Sequence, residues 1–235
     1  MNKYLFESDF SADSLRWLKK RDELNLHPSE ESLERLQEEI VASNDAALAY
    51  FFAFEFPYKT YKMQRIILEK KDAKYAFLFA QNIKNCDIKA LQSLVIASKK
   101  TKYITKFACF VKMADKTSLE DIIIKSKNVK YAHMYLKHVK NADVTRFKNI
   151  IINSKKPRYL FELAKHLKDS KDLSKIEDLI IESKSFTYIR LFAEKIKTAN
   201  VAKLEAAVLE SQNNEEIKKF AKYVKKSQMK KFLLL

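Results

Sequence analysis

The sequence predicts an all-α chain, a right-handed α-α solenoid of about six to seven two-helix repeats, and three observations carry that prediction. A 28-residue pattern recurs along most of the chain, the 235 residues contain no glycine and only three prolines, and the apolar residues of each recurrence keep a helical period. Glycine is the usual residue of hairpins, bulges and left-handed caps, so its absence argues against a β-rich or Rossmann-like fold. A helical chain with short connections is what remains. The handedness is taken from other helical-pair arrays.

Residues 1–42 read as an acidic helical cap, with six basic against ten acidic side chains. A first helix is expected from about Ser11 to Glu23, with Leu15, Trp17 and Leu18 apolar and Ser11 or Asp13 as N-cap. A second opens at Pro28, sets Glu30 and Glu31 against the positive end of its dipole, and carries Leu33, Leu36 and Ile40 on one stripe.

Residues 43–235 read as basic tandem helix pairs. A degraded first copy shows in Leu48, Phe52, Ala53 and Phe56, interrupted by Pro57, and a truncated last copy ends in Lys230 to Leu235. In between, helix A of each unit opens on Tyr75, Tyr103, Tyr131, Tyr159 and Tyr188, at spacings of 28, 28, 28 and 29. One extra residue falls near Asp169 to Lys171. Tyr75, Phe79, Ala80 and Ile83 lie at i, i+4, i+5 and i+8, one face of a helix, and the tyrosine and phenylalanine columns are assigned to the core. Helix B starts at Asp87, Asp115, Asp143, Asp172 and Asn200, whose side-chain oxygens suit the free N–H groups of a first turn. It buries Ile88, Leu91, Leu94 and Val95, repeated as Val144, Phe147, Ile150 and Ile151, and the unit closes on Ser98, Ser126, Ser154, Ser183 and Ser211. Helices of about three turns are marginal alone, so the pairs must stack.

The formal charge is +16, from 39 Lys and 7 Arg against 30 acidic residues. A lysine-rich, glycine-free composition is also what an AT-rich genome writes, so placement matters more than the total. Five B helices carry seven basic and seven acidic residues; six A segments carry 27 basic and 10 acidic. Composition bias does not divide lysine in that way. The excess is expected on one basic face or edge.

Its most regular column is Lys84, Lys112, Lys140, Lys168, Lys197 and Lys225. Nine residues after the tyrosine is half a helical turn away from it, so these lysines should point to solvent from the last turn of helix A, where they also meet the negative end of its dipole. Spaced as packed helices are, they would form a ladder of about 50 Å. The linkers add Lys71, Lys99, Lys100, Lys127, Lys155, Lys156 and Lys184. Such a surface suits phosphates or an acidic protein; scarce arginine disfavours base-specific reading. His138 and His166 sit in a column, with Asn82, Phe110, Lys195 and Tyr223, that varies from copy to copy as a binding groove would, or as a half-exposed position free to drift would.

Cys86 and Cys109 have neither disulfide nor metal spacing and read as small half-buried side chains of a reduced, intracellular protein. No secretory leader and no run of 18 apolar residues is present, which points to a cytoplasmic or nuclear protein without a membrane span. Phosphate-loop, dinucleotide, zinc-protease and serine-hydrolase motifs are missing, no cofactor or small-molecule substrate is implied, and no enzyme is expected.

The pattern S-K-x-x-K-Y-A-x-x-Y-x-K-x-V-K-x-A-D-[VI]-x-x-[LF]-x-x-I-I-I-x-S, clearest over Ser126 to Ser154, resembles the tyrosine-rich short helical repeats of proteins from large DNA phages and giant viruses. The resemblance covers roughly residues 43–235 and implies a HEAT/TPR-like helical array and a viral or phage source, with no activity attached. The expected function is a non-enzymatic interaction scaffold whose basic face binds an acidic protein or a nucleic acid. The alternative is a sequence-nonspecific DNA- or RNA-binding protein, including a helical-repeat repair enzyme.

Overall fold

The computed structural model describes residues 11–22, 28–57, 60–167 and 170–228. Among them it holds fifteen α-helices and no strand. Inter-residue contacts divide the chain into two units, Met1–Ile123 and Ile124–Leu235, and the division falls inside one helix.

The first unit holds four helix pairs: α1 (Ser11–Arg21) with α2 (Glu30–Ser43), α3 (Ala46–Glu55) with α4 (Thr60–Lys70), α5 (Ala73–Asn82) with α6 (Ile88–Ala97), and α7 (Thr101–Phe110) with α8 (Lys116–Lys125). The second holds α9 (Val129–His138) with α10 (Val144–Asn153), α11 (Pro157–Ala164) with α12 (Ser170–Glu182), α13 (Phe186–Lys195) with α14 (Val201–Glu210), and the unpaired α15 (Asn214–Tyr223). The odd-numbered A helices pack in file, α1 on α3, α5 and α7 in one unit and α9 on α11, α13 and α15 in the other. B helices line up beside them, as in α2, α4 and α6 and in α12 and α14. Within each unit, then, most helices meet their own partner and their nearest neighbours, as in a stacked array.

The acidic cap is itself a repeat. Its α2 ends in Ser43 and the left-handed Asn44, as later B helices end in serine and a left-handed residue, and Asp45 caps α3 through Ala47 N at 2.8 Å. Pro57 interrupts nothing; it follows α3 on the way to α4. Three local expectations change here. Ser29 rather than Pro28 borders α2, accepting the Ser32 N–H at 3.2 Å. Asp13 does not cap α1; it binds Tyr75, Lys74 and Arg16, holding α1 to α5. Of the three apolar residues of α1 only Trp17 is buried, against Phe51, Phe52 and Phe56, with its indole N–H donating to Glu55 at 3.0 Å, whereas Leu15 and Leu18 are 59% and 44% exposed.

The core is built from the columns read in the sequence, with one shift. Phe79, Phe107, Tyr135, Leu163, Phe192 and Phe220 are fully enclosed, as are Leu91, Val95, Phe147 and Ile151 of the B helices. The opening tyrosines are not. Tyr75 is buried, but Tyr103, Tyr131, Tyr159 and Tyr188 are half-buried, and the residue after each one, Ile104, Ala132, Leu160 or Ile189, takes the core position.

Helix B starts where expected: Asp87, Asp115, Asp143 and Asn200 accept first-turn amides of Ala90, Thr117, Thr145 and Lys203 at 2.9 to 3.2 Å. Asp172 departs from this, because α12 begins at Ser170 beside the inserted residue; Asp172 lies in its first turn and takes Lys148 Nζ at 2.7 Å instead. Helix B also ends by a common device. The hydroxyls of Ser98, Ser154, Ser183 and Ser211 donate to the carbonyl three residues back at 2.6 to 2.7 Å and accept the amide two residues on at 3.2 to 3.3 Å.

At the end of each B helix the chain turns through positive φ, at Asn44, Lys71, Lys99, Lys127, Lys155, Lys184 and Gln212. Left-handed caps are thus present without glycine. A side chain with a Cβ costs about 1–2 kcal/mol in this region, partly offset by the greater entropy glycine loses on folding. Lys99→Gly is accordingly expected to raise stability by about 0.5–1 kcal/mol, read as a higher denaturation midpoint.

A second repeating device joins successive pairs. Gln64 of α4 and Gln92 of α6 are buried and clasp the backbone of the next A–B turn from both sides: Gln64 accepts from Asp87 N at 3.0 Å and donates to Asp87 O at 3.2 Å, and Gln92 does the same to Asp115 at 2.9 and 3.1 Å. In the second unit the position is Glu177 and Glu205, which accept the amides of Asn200 at 2.9 Å and Gln228 at 3.4 Å but have no N–H to return. Burial pushes the Glu177 carboxyl up, with Asp178 adding to the effect and the Asn200 amide and Lys203 opposing it. A carboxyl raised in the folded state binds more protons there than in the unfolded chain. Its contribution is therefore fullest at acid pH and is lost as pH rises from the ordinary glutamate range through the raised value. Glu177→Gln should gain about 1 kcal/mol at neutral pH through the second bond. The advantage over the parent should shrink on acidification, which thermal melts across pH would show.

Candidate anionic-partner surface

The A helices and their flanks concentrate the positive charge, and within each unit it falls in three places, beyond either end of helix A and on its outer face. Lys84, Lys112, Lys140, Lys197 and Lys225 are all exposed, yet none lies in helix A: each follows the buried aliphatic C-cap, Ile83, Val111, Val139, Ile196 or Val224, and sits in the A–B turn. The helix stops two residues before them, so half-turn arithmetic reaches the right exposure by the wrong route. Lys168 lies outside the described residues. The linker lysines, Lys71, Lys99, Lys127, Lys155 and Lys184, are exposed at the left-handed positions. Helix A separates the two sets. In the second unit Lys127 and Lys140 flank the ten residues of α9, whose length is about 15 Å. The expected single edge is thus a pair of rims, one at either end of each A helix.

Between the rims lies the outer face of helix A, which sequence reasoning did not single out. The residue before four of the five opening tyrosines is basic, Lys74, Lys102, Lys130 or Arg158, with Thr187 before Tyr188; Lys137 follows on α9 and Lys165 at the C-cap of α11. Cations and rings meet along this face: Lys102 Nζ lies 5.5 Å from the Tyr103 ring, Lys106 5.9 Å from Phe77 and Lys165 4.5 Å from Phe161.

Ion pairing separates structural from available charge. On the B side Lys148 and Lys203 are taken by Asp172 and Asp178, and in the first unit Arg16 and Lys74 are taken by Asp13. Among the described residues, none of Lys84, Lys99, Lys112, Lys127, Lys140, Lys155, Lys197 and Lys225 pairs with a carboxylate. An exposed cation without a partner has lost no hydration to an internal contact and remains open to an external anion.

His138 ends α9 and His166 follows α11, both exposed, at equivalent places in successive pairs. Among the described residues no three His, Cys, Asp or Glu side chains gather in a metal-holding group. The histidine with a defined environment is His133, half-buried on α9, its ring 5.1 Å from that of Tyr159 on α11. Burial, and then the nearby Arg158, Lys137 and His138 against an opposing Glu162, hold it below the usual histidine range, so the ring that packs on Tyr159 is neutral at neutral pH. Cys86 and Cys109 form no disulfide and are half-buried, and burial pushes the Cys109 thiol up to about 12, far from the thiolate a nucleophile needs. No described helix is long and apolar enough to cross a membrane.

Compared with protein-family models, characterised proteins and solved structures, the chain matches none. Its fold defines it as an all-α protein of stacked helix pairs.

Proposed function

We propose that this chain is a non-enzymatic interaction scaffold whose lysine-lined A side binds an acidic or phosphate-bearing macromolecule. The observation that carries the reading is the segregation of charge: a net excess of 17 on the A segments, none on the B helices, and the rim lysines exposed without internal partners. Stability does not call for that arrangement, since lysine at the left-handed linker position is less favourable than glycine. Binding by lysine rims is electrostatic and sequence-tolerant, because ammonium groups neutralise charge without the two-pronged geometry that reads a base.

The test is affinity for polyanions as a function of salt, with Lys112, Lys140 and Lys197 all changed to Glu. Each phosphate contact contributes about 0.9 to the logarithmic salt slope, so the triple variant should bind more weakly and lose about 2–3 from that slope. Equal affinity of parent and variant at low salt would sink the proposal. Lys99→Gly supplies an internal check: it should melt higher and bind more weakly.

A further inference from the structure

The half-buried tyrosines of the second unit are unlike the buried ones of the first. Tyr50 and Tyr75 are enclosed, and each directs its hydroxyl to a partner, Tyr50 accepting from Asn82 Nδ2 at 3.0 Å and Tyr75 donating to Asp13. That is how a core tyrosine satisfies its polar end. Tyr131, Tyr159 and Tyr188 stand at one position of α9, α11 and α13, half-exposed, and among the described residues their hydroxyls take no hydrogen-bond partner. Two of the rings are steadied from the preceding helix, Tyr159 by His133 at 5.1 Å and Tyr188 by Phe161 at 6.1 Å, so little freedom is left to lose on binding. Exposed Lys130 and Arg158 immediately precede Tyr131 and Tyr159, and neither pairs with a carboxylate among the described residues. The rim lysines Lys127, Lys155 and Lys184 lie at the N-terminal ends of the same three helices.

We infer that this outer face, centred on Tyr131, Tyr159 and Tyr188, is a stacking platform for a single-stranded nucleic acid, with one nucleotide over each helix pair. The inference rests on the polyanion reading above and narrows it. A row of half-exposed rings alternating with cations is the chemistry of single-strand binding, in which unstacked bases lie on aromatic faces and the backbone follows the positive charge. A closed duplex offers those rings no base faces, and an acidic protein has no use for a ring at every repeat. Packed helices lie about 8–10 Å apart, and one base per helical repeat is a geometry that helical arrays use on RNA.

Fluorescence anisotropy of the full chain with a labelled oligothymidylate, a duplex of equal length and polyglutamate tests it. The single strand should bind tightest, and Tyr131→Leu with Tyr159→Leu should weaken it by roughly tenfold or more while the salt slope stays that of the parent. Circular dichroism establishes that the variant is folded. Independently of any variant, ultraviolet cross-linking of a bromouridine-containing strand to the parent should attach to peptides holding Tyr131, Tyr159 or Tyr188. Duplex or polyglutamate binding as tight as the single strand, unchanged affinity in the folded leucine variant, or cross-links confined to other peptides would each overturn this inference and leave the broader proposal standing. If none of the three polyanions binds, both fall.

Discussion

Phe107→Ala is expected to lower the unfolding free energy by about 3–5 kcal/mol. The ring is fully enclosed in α7. It belongs to the column of large A-helix side chains on which every pair depends. Removing it takes away the transfer free energy of the ring and leaves a cavity that a helix packed against α5 and α6 closes only in part. Alanine adds no compensating strain, because it is the best helix former. Chemical denaturation of parent and variant measures the difference. A loss below about 1 kcal/mol would show that the ring is not a core residue and that the repeat register is displaced.

The next largest effect is expected at Gln92, where Leu should cost about 2–3 kcal/mol. Leucine has nearly the volume of glutamine, so packing is little disturbed. What is lost is the clasp on the Asp115 amide and carbonyl, together with the bond to Ser118 at 3.1 Å. Those groups sit where the A–B turn presses on the neighbouring B helix, and a leucine there shields them from water without replacing either bond. Hydrogen exchange supplies the sharper readout: the Asp115 amide, protected in the parent, should exchange faster in the variant. A variant as stable as the parent, with that amide still protected, would mean that water replaces the glutamine and that the clasp adds nothing.

These two residues also mark what was legible beforehand. Phe107 stands in a column that any alignment of the repeats exposes, because one apolar ring must fill the same space in each copy. The Gln64, Gln92, Glu177 and Glu205 column has the same period but is broken by Glu120 and Lys148, and polar residues in a helix B read as solvated until their burial is seen. The capping aspartates were legible because a first helical turn needs a side-chain acceptor whatever lies around it. Asp172 escaped the rule only because the inserted residue moved the helix start.

The site was legible in charge and not in position. Which segments hold the excess lysine follows from counting, but whether Lys84 or Lys112 ends a helix or follows it depends on where Ile83 and Val111 leave helical geometry. The tyrosine column misled for a different reason. Positions one apart on a helix differ by 100°, and small Ala132 beside bulky Tyr131 made the larger side chain look like the core residue. Tertiary packing chose the smaller, since two A helices approach closely only where one of them carries little bulk.

The serine that ends each B helix has a mechanical consequence. The hydroxyl of Ser98 or Ser154 spends its donor on the helix behind it and an acceptor on the residue that opens the helix ahead. A joint locked on both sides, with one residue held in a narrow left-handed well between, is an elbow and not a hinge. Bending or stretching a unit therefore loads the contacts between successive pairs before it loads the joints. Its elasticity is that of a stack of stiff leaves sliding slightly on one another.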